Sequence, residues 1–135
     1  MRRELRTSAR VDAIIPTTYR LETPGRSTGE TVTRNVSLGG AQIFLPERLS
    51  LGTSVSVTLW LPTTGVLASS GRVAWQGRKF YTLKNGDRVV STGVEFVGMT
   101  SVVQDRLAGF IERLLWRDRE SVMSHVLQRL ARLKR

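Results

Sequence analysis

The chain of 135 residues has no cysteine, one histidine and only three lysines. Without cysteine there is no disulfide framework, no thiolate metal site and no cysteine nucleophile. His125 alone cannot build an imidazole cage, and no serine–histidine–aspartate order surrounds it. In a basic helical tail it reads as a surface or packing residue. Glu95 lacks a second carboxylate at general-acid spacing; in a strand opposite many arginines it reads as an ion-pair partner. No hydrophobic run approaches the roughly 20 apolar residues of a membrane span, and no apolar core of secretory-signal length follows the basic first residues. These absences lead to the expectation of a cytoplasmic protein that is no enzyme and carries no metal or cofactor.

What is present describes one ordinary globular domain, with 40% hydrophobic and 24% charged residues. The formal net charge is +10, a value that usually points to nucleic acid, anionic lipid or a phosphorylated ligand. Eighteen of the 21 basic residues are arginine, so the total partly reflects composition, and placement says more. Arg2, Arg3, Arg6 and Arg10 stand against Glu4 at one end. Residues 105–135 hold eight basic groups against Asp105, Glu112, Asp118 and Glu120 at the other.

From Val11 to Gly98, runs of Val, Ile, Thr, Tyr and Trp are punctuated by Gly, Pro and Asn, as in a β protein. Strands are expected near 12–21, 29–36, 40–45, 54–61, 66–77 and 88–97. Thr23-Pro24-Gly25 and Asn85-Gly86-Asp87 are turn formers, and Val55 to Leu61 alternates as a strand with one buried face. Six short strands without intervening helices favour a small antiparallel barrel, which limits exposed edges. After Gly98 the period becomes helical: Val103, Leu107, Phe110 and Leu114 form a stripe widened by Ile111 and Leu115, with Thr100 or Ser101 as cap. A second stripe runs through Met123, Val126, Leu127, Leu130 and Leu133, after a slip around Trp116–Glu120. One long helix or two would satisfy this pattern. The first stripe would cover an open barrel end. The second is the expected element of homo-oligomerisation, the alternatives being folding back on the barrel or lying on a membrane surface.

Two stretches carry the functional signal. Arg6-Thr7-Ser8-Ala9-Arg10 sets two guanidinium forks four positions apart, and Asn35-Val36-Ser37-Leu38-Gly39-Gly40 enters a strand. Such forks match a phosphate or purine edge bidentately, and their flat faces stack on bases. Arg-xxx-Arg recurs at Arg2/Arg6 and Arg113/Arg117, so its spacing has meaning only in company. Arg6-xxx-Arg10-Val11 followed by Asn35-x-Ser37-x-x-Gly40, with Gly93-Val94-Glu95-Phe96 in the last strand, resembles the PilZ domain. That family is a bacterial six-stranded β-barrel that binds cyclic di-GMP. The resemblance runs from about Arg3 to Leu115.

It implies a mainly β fold, a PilZ-like split barrel of six antiparallel strands over 11–98. A flexible arginine-rich switch segment (1–10) would precede it and a C-terminal helical segment (99–135) follow it. It also implies a ligand site: Arg6 and Arg10 gripping guanine edges or phosphates, and Asn35 and Ser37 hydrogen-bonding a guanine. Gly39 and Gly40 would allow close backbone approach. Arg2 and Arg3 are secondary candidates. Trp75, Phe80 and Tyr81 could form a stacking surface, although core is the expected place for Trp75; Trp60 faces opposite to Leu59 and Leu61, inward or outward. Leu5 stands where many members carry another arginine, which favours one ligand per site over a stacked pair. The motif lies close to the chain start, so any switch is expected to act within this domain or on a separate protein. The function implied is a cyclic di-GMP receptor that changes conformation or contacts a protein partner. The alternatives are a PilZ-fold protein working through protein contacts without nucleotide and, less favoured, a basic barrel binding nucleic acid.

Overall fold

The computed structural model describes residues 10–22, 27–62 and 65–133; beyond Trp116, helix side chains are described only at Leu127, Leu130 and Ala131. Seven strands precede one helix: β1 (Val11–Asp12), β2 (Pro16–Leu21), β3 (Thr28–Val36), β4 (Gly40–Leu45), β5 (Ser54–Leu61), β6 (Gly65–Thr82), β7 (Arg88–Val97) and α1 (Ser101–Leu133). All pairings are antiparallel, in the order β1-β3-β2-β5-β6-β7-β4. A further β3–β4 pairing closes six strands into a barrel, with β1 as the additional strand. Every second side chain of β5 faces inward, so Val55, Val57, Leu59 and Leu61 join Leu21, Ile43, Leu45 and Val73 in one buried core.

The strand expected at 12–21 is broken at Ala13–Ile15, and Thr33 of β3 is the cause. Its hydroxyl donates to the Ala13 carbonyl at 2.6 Å and accepts from Ile15 N at 3.0 Å. The side chain thus satisfies groups that a regular ladder would pair backbone to backbone. Ile15 becomes fully buried while its neighbour Ile14 is exposed. The strand expected at 66–77 continues instead to Thr82, where it pairs with Arg88. The β6–β7 hairpin therefore reaches further than expected, and its end is made by the predicted turn. Gly86 has φ of 93°, and Asp87 N donates to the Asn85 side chain at 2.9 Å. The other expected turn, Thr23-Pro24-Gly25, lies outside the described residues.

The helix is one element of 33 residues. Thr100 caps it, its hydroxyl accepting from Val103 N at 3.3 Å. Leu107, Phe110 and Ile111 are buried in the barrel core, with Val103 and Leu114 packed against it. Leu127 and Leu130, on the second stripe, are exposed. Among the described residues, no helix is long and apolar enough to cross a membrane.

Candidate functional site

Arg10 leads directly into β1, and two register pairs fix where it stands. Val11 lies opposite Val36 and Asp12 opposite Asn35, so Arg10 is held beside the end of β3 and the turn that follows. Ser37 closes that turn twice: its backbone N–H donates to the Gly40 carbonyl at 2.9 Å, and its hydroxyl accepts from Gly39 N at 3.2 Å. The Gly39 carbonyl in turn accepts from Phe96 N at 2.9 Å, tying the turn to β7. The two glycines serve different ends. A Cβ on Gly40 would lie 2.2 Å from the Val94 carbonyl oxygen, so the approach of β4 to β7 itself demands glycine there. A Cβ on Gly39 would meet only Ser37 Oγ, at 3.9 Å, which leaves that side of the turn open to an approaching molecule.

From this corner one row of cross-strand partners runs over the barrel's outer wall. Asp12 faces Asn35, Asn35 faces Gln42, Gln42 faces Gly93, and Gly93 faces Trp75. Asn35 Nδ2 donates to Gln42 Oε1 at 2.9 Å, one of the four hydrogen-bonding positions of its amide. The next row inward in register (Val11, Val36, Ala41, Val94, Val73) is buried, as alternation requires.

Trp75 corrects the expectation that it belongs to the core. Leu67, Gly71 and Val73 of β6 face inward, and strict alternation would carry Trp75 inward after them. The pairing slips between Val73 and Trp75, however, so that Ala74 is an extra residue in the strand. Such a bulge reverses the faces of the side chains that follow. Trp75 consequently turns outward, 43% exposed, and lies across Gly93, where a Cβ would sit 2.0 Å from its Nε1. Gly93 is the seat that lets the indole lie against the wall.

Arg10, Asn35, Ser37, Gly39, Gly40 and Trp75 thereby line one hollow of about 210 Å³, together with Gln42, Gly93 and Glu95. Arg2, Arg3 and Arg6 lie outside the described residues. Glu95 is ion-paired as expected, to Arg72 at 3.1 Å, and the hydrogen bonds between them raise the Arg72 pKa further above its ordinary value. That pairing offsets a carboxylate which would otherwise repel an anion at the same wall. The hollow therefore offers a guanidinium fork, amide and hydroxyl groups, open backbone at Gly39 and an aromatic face. These are groups suited to a purine and a phosphate. Among the described residues no three His, Asp or Glu side chains are placed to hold a metal.

Sequence reasoning missed Gln42 and gave Gly93 no role. Gln42 stood two residues beyond a tight turn and opposite Asn35, which is where a hairpin reading places a partner. Gly93 could be understood only through the bulge. Trp60 faces outward, 48% exposed. Phe80 and Tyr81, also considered for stacking, stand on the β6–β7 arm and not in the hollow. Phe80 is covered by two guanidiniums, Arg48 at 5.1 Å and Arg88 at 4.5 Å from the ring centre. Trp60 and Tyr81 line a separate groove of about 1360 Å³, with Val32, Phe44 and Leu83 and with Glu30 and Asp87 among its charged residues.

Comparison with known proteins agrees with this architecture. Similar solved structures include the PilZ domain of YcgR from Escherichia coli with c-di-GMP. It is 18% identical over 84% of this chain and 94% of that one, with a TM-score of 0.63. MrkH from K. pneumonia in its apo state is 14% identical with a TM-score of 0.66, matching 84% of this chain but only 52% of that longer one. The PilZ domain of CeSA from a cellulose-synthesizing bacterium is 21% identical over 79% of this chain and 98% of that one, with a TM-score of 0.57. At such identities these likenesses concern the fold. No curated protein matches the chain significantly. The PilZ domain family model matches residues 2–113, from the arginine-rich start through the barrel and into α1. The chain belongs to the PilZ domain family.

Proposed function

We propose that this protein is a cyclic di-GMP receptor whose ligand occupies the hollow between Arg10, the Asn35–Gly40 turn and Trp75. The observation that carries the reading is the meeting of three sequence-distant groups on one wall: an arginine fork, a polar turn with an open glycine, and an outward indole. Cyclic di-GMP has two phosphates and two guanines. Arg10 would address the O6 and N7 edge of guanine or a phosphate bidentately, Asn35 and Ser37 would hydrogen-bond the base, and Trp75 would stack on it. The resemblance adds Arg6 as a second fork, with Arg2 and Arg3 as further contacts. Membership of a family with a c-di-GMP-bound structure supports the same ligand.

The protein so read is a receptor and not an enzyme, works in the cytoplasm and holds one ligand per site, since Leu5 offers no fork for a second. Its response is a conformational change of the arginine segment against the barrel or a change in protein contacts, with the C-terminal helix as contact element. Calorimetric titration tests the reading. Saturable heat at one ligand per chain, lost in Asn35→Ala/Ser37→Ala, supports it. Unchanged affinity in that double variant removes the site.

A second reading is favoured by the exposed Trp60 and Tyr81 of the larger groove. In that case the protein acts through protein contacts and takes no nucleotide, and high-micromolar cyclic di-GMP produces neither heat nor a thermal shift. The nucleic-acid alternative predicts binding that falls steeply with salt and shows no preference for the guanine dinucleotide.

A further inference from the structure

Between Thr33 and Asn35, β3 carries one residue more than its partner. Thr33 lies opposite Ile43 and Asn35 opposite Gln42, so two steps along β3 match one along β4, and Arg34 is the extra residue. Such a bulge reverses the faces of the residues that follow it. Thr33 and Val36 are buried, Arg34 is exposed, and Asn35 reaches Gln42 on the outer wall. The strand thus runs in, out, out, in, and it sets Arg34 and Asn35 side by side on the wall that bears the hollow. The Arg34 carbonyl accepts from Ala13 N at 3.1 Å, and Val36 lies opposite Val11. Arg10 and Arg34 therefore stand on either side of Asn35, about 10 Å apart along the strand at ~3.3 Å per residue.

Arg10 lines the hollow of about 210 Å³, and Arg34 stands outside it. A space of that size takes one base and its phosphate, whereas cyclic di-GMP has two of each. The other half of the ligand has to lie over the rim, on the outer wall. Among the described residues, Arg34 enters no ion pair and no side-chain hydrogen bond. An unheld fork suits a phosphate, which accepts from many directions, better than a base edge, which asks for a fixed plane. The same rim carries a carboxylate, Asp12, opposite Asn35. Glu95 across the hollow is neutralised by Arg72, but Asp12 has no ion pair among the described residues. A phosphate at this rim needs a cation close to Asp12, and Arg34 is the cation that the bulge supplies. Resting on the receptor reading above, we propose that Arg34 forms a second anion subsite. It binds the phosphate of cyclic di-GMP that the hollow around Arg10 does not hold.

Calorimetric titration of the full chain with cyclic di-GMP, beside a melting curve for each variant, tests the subsite. Arg34→Ala is expected to bind about tenfold more weakly, as the loss of one charge-assisted hydrogen bond implies. Its melting should be unchanged, because the side chain is exposed. Arg34→Lys should recover most of the affinity, since a phosphate also accepts an ammonium as a point charge. A double-mutant cycle with Asp12→Asn separates contact from mere neutralisation. If Arg34 touches the ligand, the tenfold loss persists in the Asp12→Asn background. A loss that vanishes there makes Arg34 only the counter-charge of Asp12 and overturns the proposal. So does Arg34→Ala with the affinity of the unmodified chain, or Arg34→Lys no better than Arg34→Ala. All three results leave the receptor reading intact. Absence of binding by the unmodified chain overturns that reading, and the subsite with it.

Discussion

Two concavities on the same barrel differ in almost every respect. The groove beside the β6–β7 arm has about 1360 Å³ and exposes Trp60, Tyr81 and Leu83. The hollow at the Asn35–Gly40 turn has about 210 Å³ and is lined by an arginine, amides, a hydroxyl, glycines and one indole. Size and apolar surface would select the groove as the default binding site. The proposed reading takes the hollow instead, because there a fork, amide and hydroxyl side chains, open backbone at Gly39 and an outward indole converge on something the size of a base and its phosphate. The larger space is shaped by how far the hairpin arm extends. The smaller one is shaped by a bulge, a bare glycine and a two-residue strand that each aim one group.

The difference is sharpest at the arginines. Arg10→Ala is expected to lower cyclic di-GMP affinity at least ~100-fold, since it removes two charge-assisted hydrogen bonds of about 1.5–3 kcal/mol each. Arg88→Ala, at the groove, should leave calorimetric affinity unchanged. Gly40→Ala should act differently from both. Its Cβ would meet the Val94 carbonyl, so a loss of about 2 kcal/mol in denaturant unfolding is expected from overpacking, with weakened ligand binding as a consequence. A smaller contrast separates the tryptophans. Trp75→Ala should cost roughly tenfold in affinity, at the lower end of base–aromatic stacking at ~1–3 kcal/mol, and Trp60→Ala should cost none. Equal effects of Trp75→Ala and Trp60→Ala would break the comparison.

The smallest effect belongs to the groove side and to pH. Burial, and then the nearby Glu47 carboxylate, raise the Tyr19 pKa above its ordinary 10.0. A group whose pKa is higher in the folded state contributes stability below its unfolded pKa and loses it as pH rises through the folded one. Stability should therefore fall above pH 10, less so in Tyr19→Phe, as seen in melting temperature against pH. Ligand affinity at neutral pH should be the same in both proteins.

Much of the barrel could be read from the sequence, because turns such as Asn85-Gly86-Asp87 and the alternation of Val55 to Leu61 are local signals. Two of the exceptions came from contacts between residues distant in sequence. Thr33 splits the first expected strand through hydrogen bonds to residues 18 and 20 positions away. The extra residue at Ala74 turns Trp75 outward, and nothing in β6 alone marks where a strand will bulge. At the site, Asn35, Ser37 and Gly40 could be picked out as a motif. Gln42 and Gly93 could not be assigned roles until the register placed them between Asn35 and Trp75. The slip between the two stripes of α1 left one helix or two open; backbone hydrogen bonding is indifferent to which side of a helix is apolar, and the helix continues.

The chain has three tryptophans, each with an indole N–H that gives its own signal in a proton–nitrogen NMR spectrum. Titration with cyclic di-GMP reads hollow and groove in one experiment. With cyclic di-GMP in the hollow, the Trp75 indole signal and the Gly39 and Gly93 amides should shift saturably at one ligand per chain while the Trp60 indole stays in place. A shift of Trp60 with Trp75 unmoved, or no shift at either, would contradict that site.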